Sequence, residues 1–187
     1  ITAPLVIVGL PRTGTTKLHR LLARDPRFWW MPFWESQMPV PLPGETIKEP
    51  TARMAAGKQI CDMMTQAMPK LLAIHPMDAD EPDEEVMLTE HSFISAFNAY
   101  ANIPSYNAWL EKTDQTPVYN YLRRMLQFLQ WQKRQRGQTG RRWVLKAPHH
   151  LLRMETLLKV FPGAQIIQNH RDPTQSIPPI DSFIHTL

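Results

Sequence analysis

The run PLVIVGL, residues 4–10, continuing into PRTGTTKLHRLLA, residues 11–23, constrains the fold more than any other part of the chain. Residues 5–8 are uniformly apolar and mostly β-branched, the pattern of a strand buried on both faces. Gly9 and Gly14 mark the loop that follows it, and Leu18, Leu21 and Leu22 then recur at helical spacing until Asp25 and Pro26 stop the helix. A strand buried on both sides needs a layer of helices over each face, and successive strand–helix units join as right-handed parallel crossovers. The same order returns near the end in RRWVLKAPHHLLRMETLLKVFPGAQIIQN, residues 141–169. There WVLK reads as a strand, residues 151–160 as a helix stopped by Pro162 and Gly163, and AQIIQN as another strand. The expectation is an α/β protein: three layers, with a central parallel sheet flanked by helices, forming a single domain over residues 1–187.

The middle of the chain is less regular. FWWMPFWESQMPVPLPGETIKEP, residues 28–50, carries too much proline for long elements and reads as an irregular, partly apolar loop region. Residues 51–72 and 117–134 read as helices, the second with Leu122, Met125, Leu126 and Leu129 on one side. HPMDADEPDEE, residues 75–85, reads as a loop and an acidic helix start, with Glu84 and Glu85 complementing the helix dipole and Val86, Phe93, Ile94 and Phe97 on an apolar face.

Composition narrows the classes. With 43% hydrophobic and 20% charged residues the chain suits a globular protein, and no apolar run approaches the roughly 20 residues a membrane crossing needs. The lone Cys61 excludes an intrachain disulfide framework and favours a reducing compartment, so a cytoplasmic location is expected. The opening ITAPLVIVGL has no basic leader before its apolar run and so does not read as a secretory signal. It also lacks an initiator methionine, and the chain stops at DSFIHTL without a terminating feature; it is expected to lack a C-terminal part. A net charge of +4 suits an anionic ligand without calling for nucleic acid. The densest basic run, QKRQRGQTGRR at residues 132–142, reads as a solvated helix end.

The loop GLPRTGTT, residues 9–16, approximates the phosphate-binding pattern G-x-x-x-x-G-K-[ST], except that Thr15 stands where the lysine belongs. Backbone N–H groups at a helix N-terminus, close approach at Gly14, and the hydroxyls of Thr13, Thr15 and Thr16 still make an anion cradle. Arg12 adds a permanent charge on a planar fork. Without the lysine, and without an apolar strand ending in aspartate to hold magnesium, ATP hydrolysis is not expected.

PRTGTT resembles the 5′-phosphosulfate-binding loop, approximately P-[KR]-[ST]-G-T-T, of sulfotransferases that use 3′-phosphoadenosine 5′-phosphosulfate (PAPS). QIIQNHRDP is similar to the strand and R-[DN]-P turn that meets the 3′-phosphate in that family, and LKAPHHLLRMETLLKVFP resembles the K-[AS]-P-x-H-L segment of a bacterial branch. The resemblance implies a P-loop-like fold and sulfuryl transfer from PAPS to a hydroxyl acceptor, leaving adenosine 3′,5′-bisphosphate, with no metal. It assigns the donor to Arg12, Thr13, Gly14, Thr15, Thr16 and Arg171, and gives Arg12 an electrostatic catalytic role. The general base stays open between Glu35 and the pair His149 and His150, the latter also readable as a helix cap. Lys146 either faces the donor or only finishes its strand. Many relatives share the 3′-phosphate between the arginine and a serine eight positions on; here that position is Pro179, and Ser176 and Ser182 are the nearby substitutes. Trp29, Trp30 and Trp34, with Met31 and Phe33, suggest a lipid, glycolipid or phenolic acceptor. The alternatives are an ATP-dependent small-molecule kinase and a non-catalytic nucleotide-binding protein.

Overall fold

The computed structural model describes residues 1–69, 75–99, 101–172 and 174. Four parallel strands form one sheet: β1 (Leu5–Val8), β2 (Phe28–Trp29), β3 (Arg142–Lys146) and β4 (Gln165–Gln168), in the order β2-β3-β1-β4. Leu5 is in register with Val144 on one side and Gln165 on the other, so the ends of β1, β3 and β4 lie level. The expected strands are all present. β2 was not expected: its two residues lie at the start of the proline-rich stretch, where no alternating pattern distinguishes a strand from a loop.

Alternate residues of β1 feed opposite layers, as the period of a strand requires. Leu5 and Ile7 pack with Val144 beneath α1 (Thr15–Ala23), against Leu18 and Leu22. Val6 and Val8 face the larger core, with Trp143, Leu145, Leu122, Leu126 and Leu129. The last three come from the long helix, Thr116–Gln135, here close to its expected bounds. Two further helices, Phe33–Gln37 and Thr51–Ala67, follow β2 and become α2 and α3; α4 is Val86–Thr89, α5 Pro104–Lys112, α6 the long helix, and α7 Met154–Val160. The three-layer arrangement is as expected.

Several local readings are corrected. The acidic helix is one turn of α4 continued by a 3₁₀ turn, Glu90–Ser92, and Phe93 emerges 76% exposed at its end. Residues 148–153 are a 3₁₀ turn before α7 rather than its first turns. The basic run is not wholly solvated, because Gln132 and Lys133 are buried. Its neighbour Arg53 is also fully buried, paired with Glu45 at 2.6 Å and donating to Gln132 Oε1 at 2.8 Å and to the Pro39 carbonyl at 3.2 Å. Gln132 Nε2 donates to the same carbonyl at 2.8 Å. Polar pins of this kind supply what a strand ladder cannot, and they hold the proline-rich stretch against α3 and α6.

Candidate active site

At the C-terminal end of β1 the chain makes the close turn that the glycines allow. A Cβ on Gly9 would stand 2.9 Å from the Asn169 carbonyl and 2.8 Å from Thr13 Oγ1, a separation side chains do not tolerate. Gly14 caps α1 at φ 91°, in the left-handed region that favours glycine. Arg12 takes φ 69°, a conformation that costs a non-glycine residue about 1 kcal/mol or more and is held by its surroundings. Thr13 Oγ1 closes the turn by donating to the Leu10 carbonyl at 2.7 Å. The first N–H groups of α1, beginning at Thr15, have no carbonyl a turn earlier to accept them, and they concentrate positive potential at the loop.

The second motif meets the first across the sheet. Asn169 continues the ladder from β4 to the Val8 carbonyl at 2.9 Å, and its Nδ2 donates to the Thr13 carbonyl at 3.4 Å. Two residues on, Arg171 Nη1 donates to the Arg12 carbonyl at 3.2 Å. Arg12 and Arg171 line one cavity of about 530 Å³ with Gly14, Thr15, Thr16 and Lys17, and Arg20 and Arg24 extend its wall. Among the described residues no acidic one lines it; Glu81 answers part of the charge from behind, pairing with Arg24 at 2.5 Å. Pro179, Ser176 and Ser182 lie outside the described residues.

Behind the loop Lys146 both finishes its strand and reaches the loop, in a pairing the sequence did not reveal. Lys146, 2% exposed at the end of β3, donates through Nζ to Glu84 Oε1 at 2.5 Å and to Thr16 Oγ1 at 3.4 Å. Its backbone N–H goes to Glu85 Oε2 at 3.0 Å. Glu84 and Glu85 thus clamp a strand end, where the sequence suggested helix-dipole acids. A run of six acids in eleven residues, opposite a lone lysine at a strand end, was the available signal; without the fold it says nothing about pairing.

Glu85 is fully enclosed. Burial alone would raise its pKa, but the His150 imidazole and the Lys146 N–H outweigh burial and hold it down to about 2. His150 joins Glu85 through Nε2 at 2.5 Å and Tyr119 through Nδ1 at 2.8 Å, so both ring nitrogens are engaged inside the core. His149 packs on His150 with ring centres 4.2 Å apart, and burial pushes its pKa well below 6.5. His19 lies beneath the loop, 1% exposed; burial first and the Lys146 charge second lower its pKa to about 4.

Glu35 stands elsewhere. It is 1% exposed on α2, ion-paired to Lys133 at 2.6 Å and to Arg136. With Trp29, Trp30 and Trp34 it lines a second cavity, of about 610 Å³, which among the described residues shares no lining residue with the first. Met31 and Phe33 are core residues. Among the described residues no group of three His, Cys, Asp or Glu side chains is placed to hold a metal ion, and no helix is long and apolar enough to cross a membrane.

A family model described as Sulfotransferase family matches residues 4–184. No curated protein matches the sequence. Two solved structures do: sulfotransferase STF1 from Mycobacterium tuberculosis H37Rv, 34% identical over 92% of this chain with a TM-score of 0.71, and sulfotransferase STF9 from Mycobacterium avium, 30% identical over 100% of it with a TM-score of 0.79. The chain spans 46% and 47% of their lengths. With nearly its whole length matched by the family model, and the phosphate-type loop and Arg171 brought together at one cavity, the chain belongs to the sulfotransferase family.

Proposed function

We propose that the protein transfers a sulfuryl group from PAPS to the hydroxyl of a small-molecule acceptor, working in the cytoplasm without nucleic acid as a partner. The observation that carries the reading is the meeting of Arg12 and Arg171, 159 positions apart, at one cavity whose charged lining residues, among those described, are all cations. That donor set fits a ligand with phosphate at both ends of a nucleoside. The bare backbone of Gly14 leaves room for it: a Cβ built there would have only Asn169 Nδ2 nearby, at 4.0 Å. When bound, PAPS supplies the sulfuryl group and takes charge onto the bridging oxygen it leaves behind.

In this account Thr13, Thr15, Thr16 and the backbone at Gly14 hold the 5′-phosphate, and Arg171 the 3′-phosphate. Arg12 and Lys146 stabilise charge at the bridging oxygen, a role fixed cations perform best where water is excluded. The base is the finer question. A base must reach the proton it takes. Glu35 has its carboxylate engaged by Lys133 and Arg136 at the other cavity, and His150 has no ring nitrogen to spare. His149 is a weak base, because burial lowers its pKa well below 6.5. Glu84 is also ion-paired, through Oε1 to Lys146, but it is 15% exposed and that lysine joins it to Thr16 of the loop, and we assign the base to it. His150 is then a positioning residue, fixing Glu85 and through it the Lys146 backbone. The cavity of tryptophans that suggested a lipid, glycolipid or phenolic acceptor lies apart from the loop, so the acceptor is specified only as a hydroxyl compound.

The test is radiolabelled sulfuryl transfer from PAPS across a panel of hydroxyl acceptors, in chelator, with Glu84→Gln and Glu35→Gln compared. Loss of a general base lowers turnover by about a hundredfold or more. Glu84→Gln is expected to do this with adenosine 3′,5′-bisphosphate binding intact. Glu35→Gln is expected to lower the melting temperature, by leaving Lys133 and Arg136 without their counter-ion, while folded protein still turns over. The reverse pattern returns the base to Glu35.

A further inference from the structure

The second cavity has no part in that scheme, yet its wall is chemically distinctive. It runs beside edge strand β2 and is lined by Phe28, Trp30, Trp34 and Met54, with Lys133 and Arg136 from the end of α6. Glu35 holds both cations in place. Among the buried charges of the lining, one carboxylate faces two cations, leaving one positive charge over. Arg53, which stacks on Trp34 from the α3 side, is already matched by Glu45. Asp80 also lines the cavity, but it is exposed, where water screens it. The cations lie against aromatic faces: Lys133 Nζ is 5.7 Å from the centre of a Trp30 ring and the Arg136 guanidinium 5.5 Å from that of Trp34.

The hydrogen-bond inventory points the same way. Only Nη2 of Arg136 reaches Glu35; its Nε and Nη1 are buried with no hydrogen-bond partner among the described residues, and so is Nε1 of Trp29. All three are donors, and buried donors without acceptors are uncommon in native proteins. A wall of aromatic faces with a surplus cation and unanswered donors matches a ligand that has an apolar body and a single acceptor-rich anionic head.

We infer that the cavity beside β2 is a second ligand site, separate from the donor cavity, for a small organic monoanion: a carboxylate, sulfonate or sulfate ester on an aromatic or aliphatic body. Arg136 and Lys133 meet the head, Trp30 and Trp34 flank the body, and Glu35 is the counter-ion that keeps the two cations side by side.

The experiment is a calorimetric and tryptophan-fluorescence titration of the intact protein with 2-naphthalenesulfonate, and with naphthalene-2-carboxamide as the neutral body, repeated at saturating adenosine 3′,5′-bisphosphate. The sulfonate is expected to bind one site at least tenfold more tightly than the carboxamide, to change tryptophan emission, and to be indifferent to the bisphosphate. Arg136→Gln, with folding checked by circular dichroism, is expected to weaken it at least tenfold. Met54→Trp, which fills the space and keeps every charge, gives the same loss if Arg136→Gln does not fold. The inference is overturned by absence of binding at millimolar sulfonate, by equal binding of the carboxamide, by displacement with the bisphosphate, or by retained binding in the folded variants.

Discussion

At the residue scale, the loop is supported by side chains whose charge states are set by burial. His19 is the clearest. It sits under Lys146, and both burial and that cation hold its pKa at about 4, below the ordinary 6.5. Between those values the unfolded chain binds a proton that the folded one refuses, so this group's contribution to stability is whole above pH 6.5 and declines as pH falls towards 4. His149 acts in the same direction; His75, raised by its bond and charge pairing with Asp83 despite burial, opposes them. His19→Gln removes one source of the slope. Melting temperatures measured from pH 7 to pH 4.5 should fall less steeply in the variant than in the parent, and parallel profiles would show that His19 does not titrate with folding. The site's residues were unevenly legible. Arg12, the threonines and Arg171 are contiguous with motifs that carry their own mechanism. Glu84 was not legible, because its meaning depends on Lys146, sixty-two positions away.

At the element scale, strands and helices with strong periodicity were readable, and the stretch between β2 and α3 was not. β1, β3 and β4 are short runs centred on apolar residues and flanked in sequence by glycine or proline, and α6 sets Leu122, Leu126 and Leu129 at helical spacing over about two turns. β2 and α2, by contrast, are held by tertiary contacts. Gly57 shows how closely: a Cβ there would stand 2.4 Å from Trp34 Cβ and 2.6 Å from Trp34 Cα. Helix propensity alone favours alanine over glycine by about 1 kcal/mol, so an exposed site would gain from the change. Here α3 would have to move off α2, and overpacking of this kind costs about 1–3 kcal/mol. Gly57→Ala should therefore lower stability in urea denaturation; a rise in the midpoint would show that α2 and α3 are not packed as described.

At the scale of the whole molecule, the sheet brings the ends of β1, β3 and β4 level, and this alone makes a site from loop, lysine and turn. The order of elements made that convergence readable, since parallel strands place their C-terminal loops on one side. The separation of the two cavities was not readable: Glu35 follows β2 closely in sequence, but α2 carries it towards the end of α6, away from Arg12. Among the described residues the two cavities have no lining residue in common.

The central claim is that the Arg12–Arg171 cavity takes a nucleoside carrying phosphate at both its 3′ and 5′ positions. Isothermal titration with adenosine 3′,5′-bisphosphate, 5′-AMP and ATP with magnesium, on the parent and on Arg171→Ala, tests it most directly. The account predicts that the bisphosphate binds the parent far more tightly than 5′-AMP does, and that Arg171→Ala erases the difference between them, since a charge-assisted contact of this kind is worth about 1.5–3 kcal/mol. Equal binding of the bisphosphate and 5′-AMP by the parent, or tight binding of ATP with magnesium alone, would contradict it.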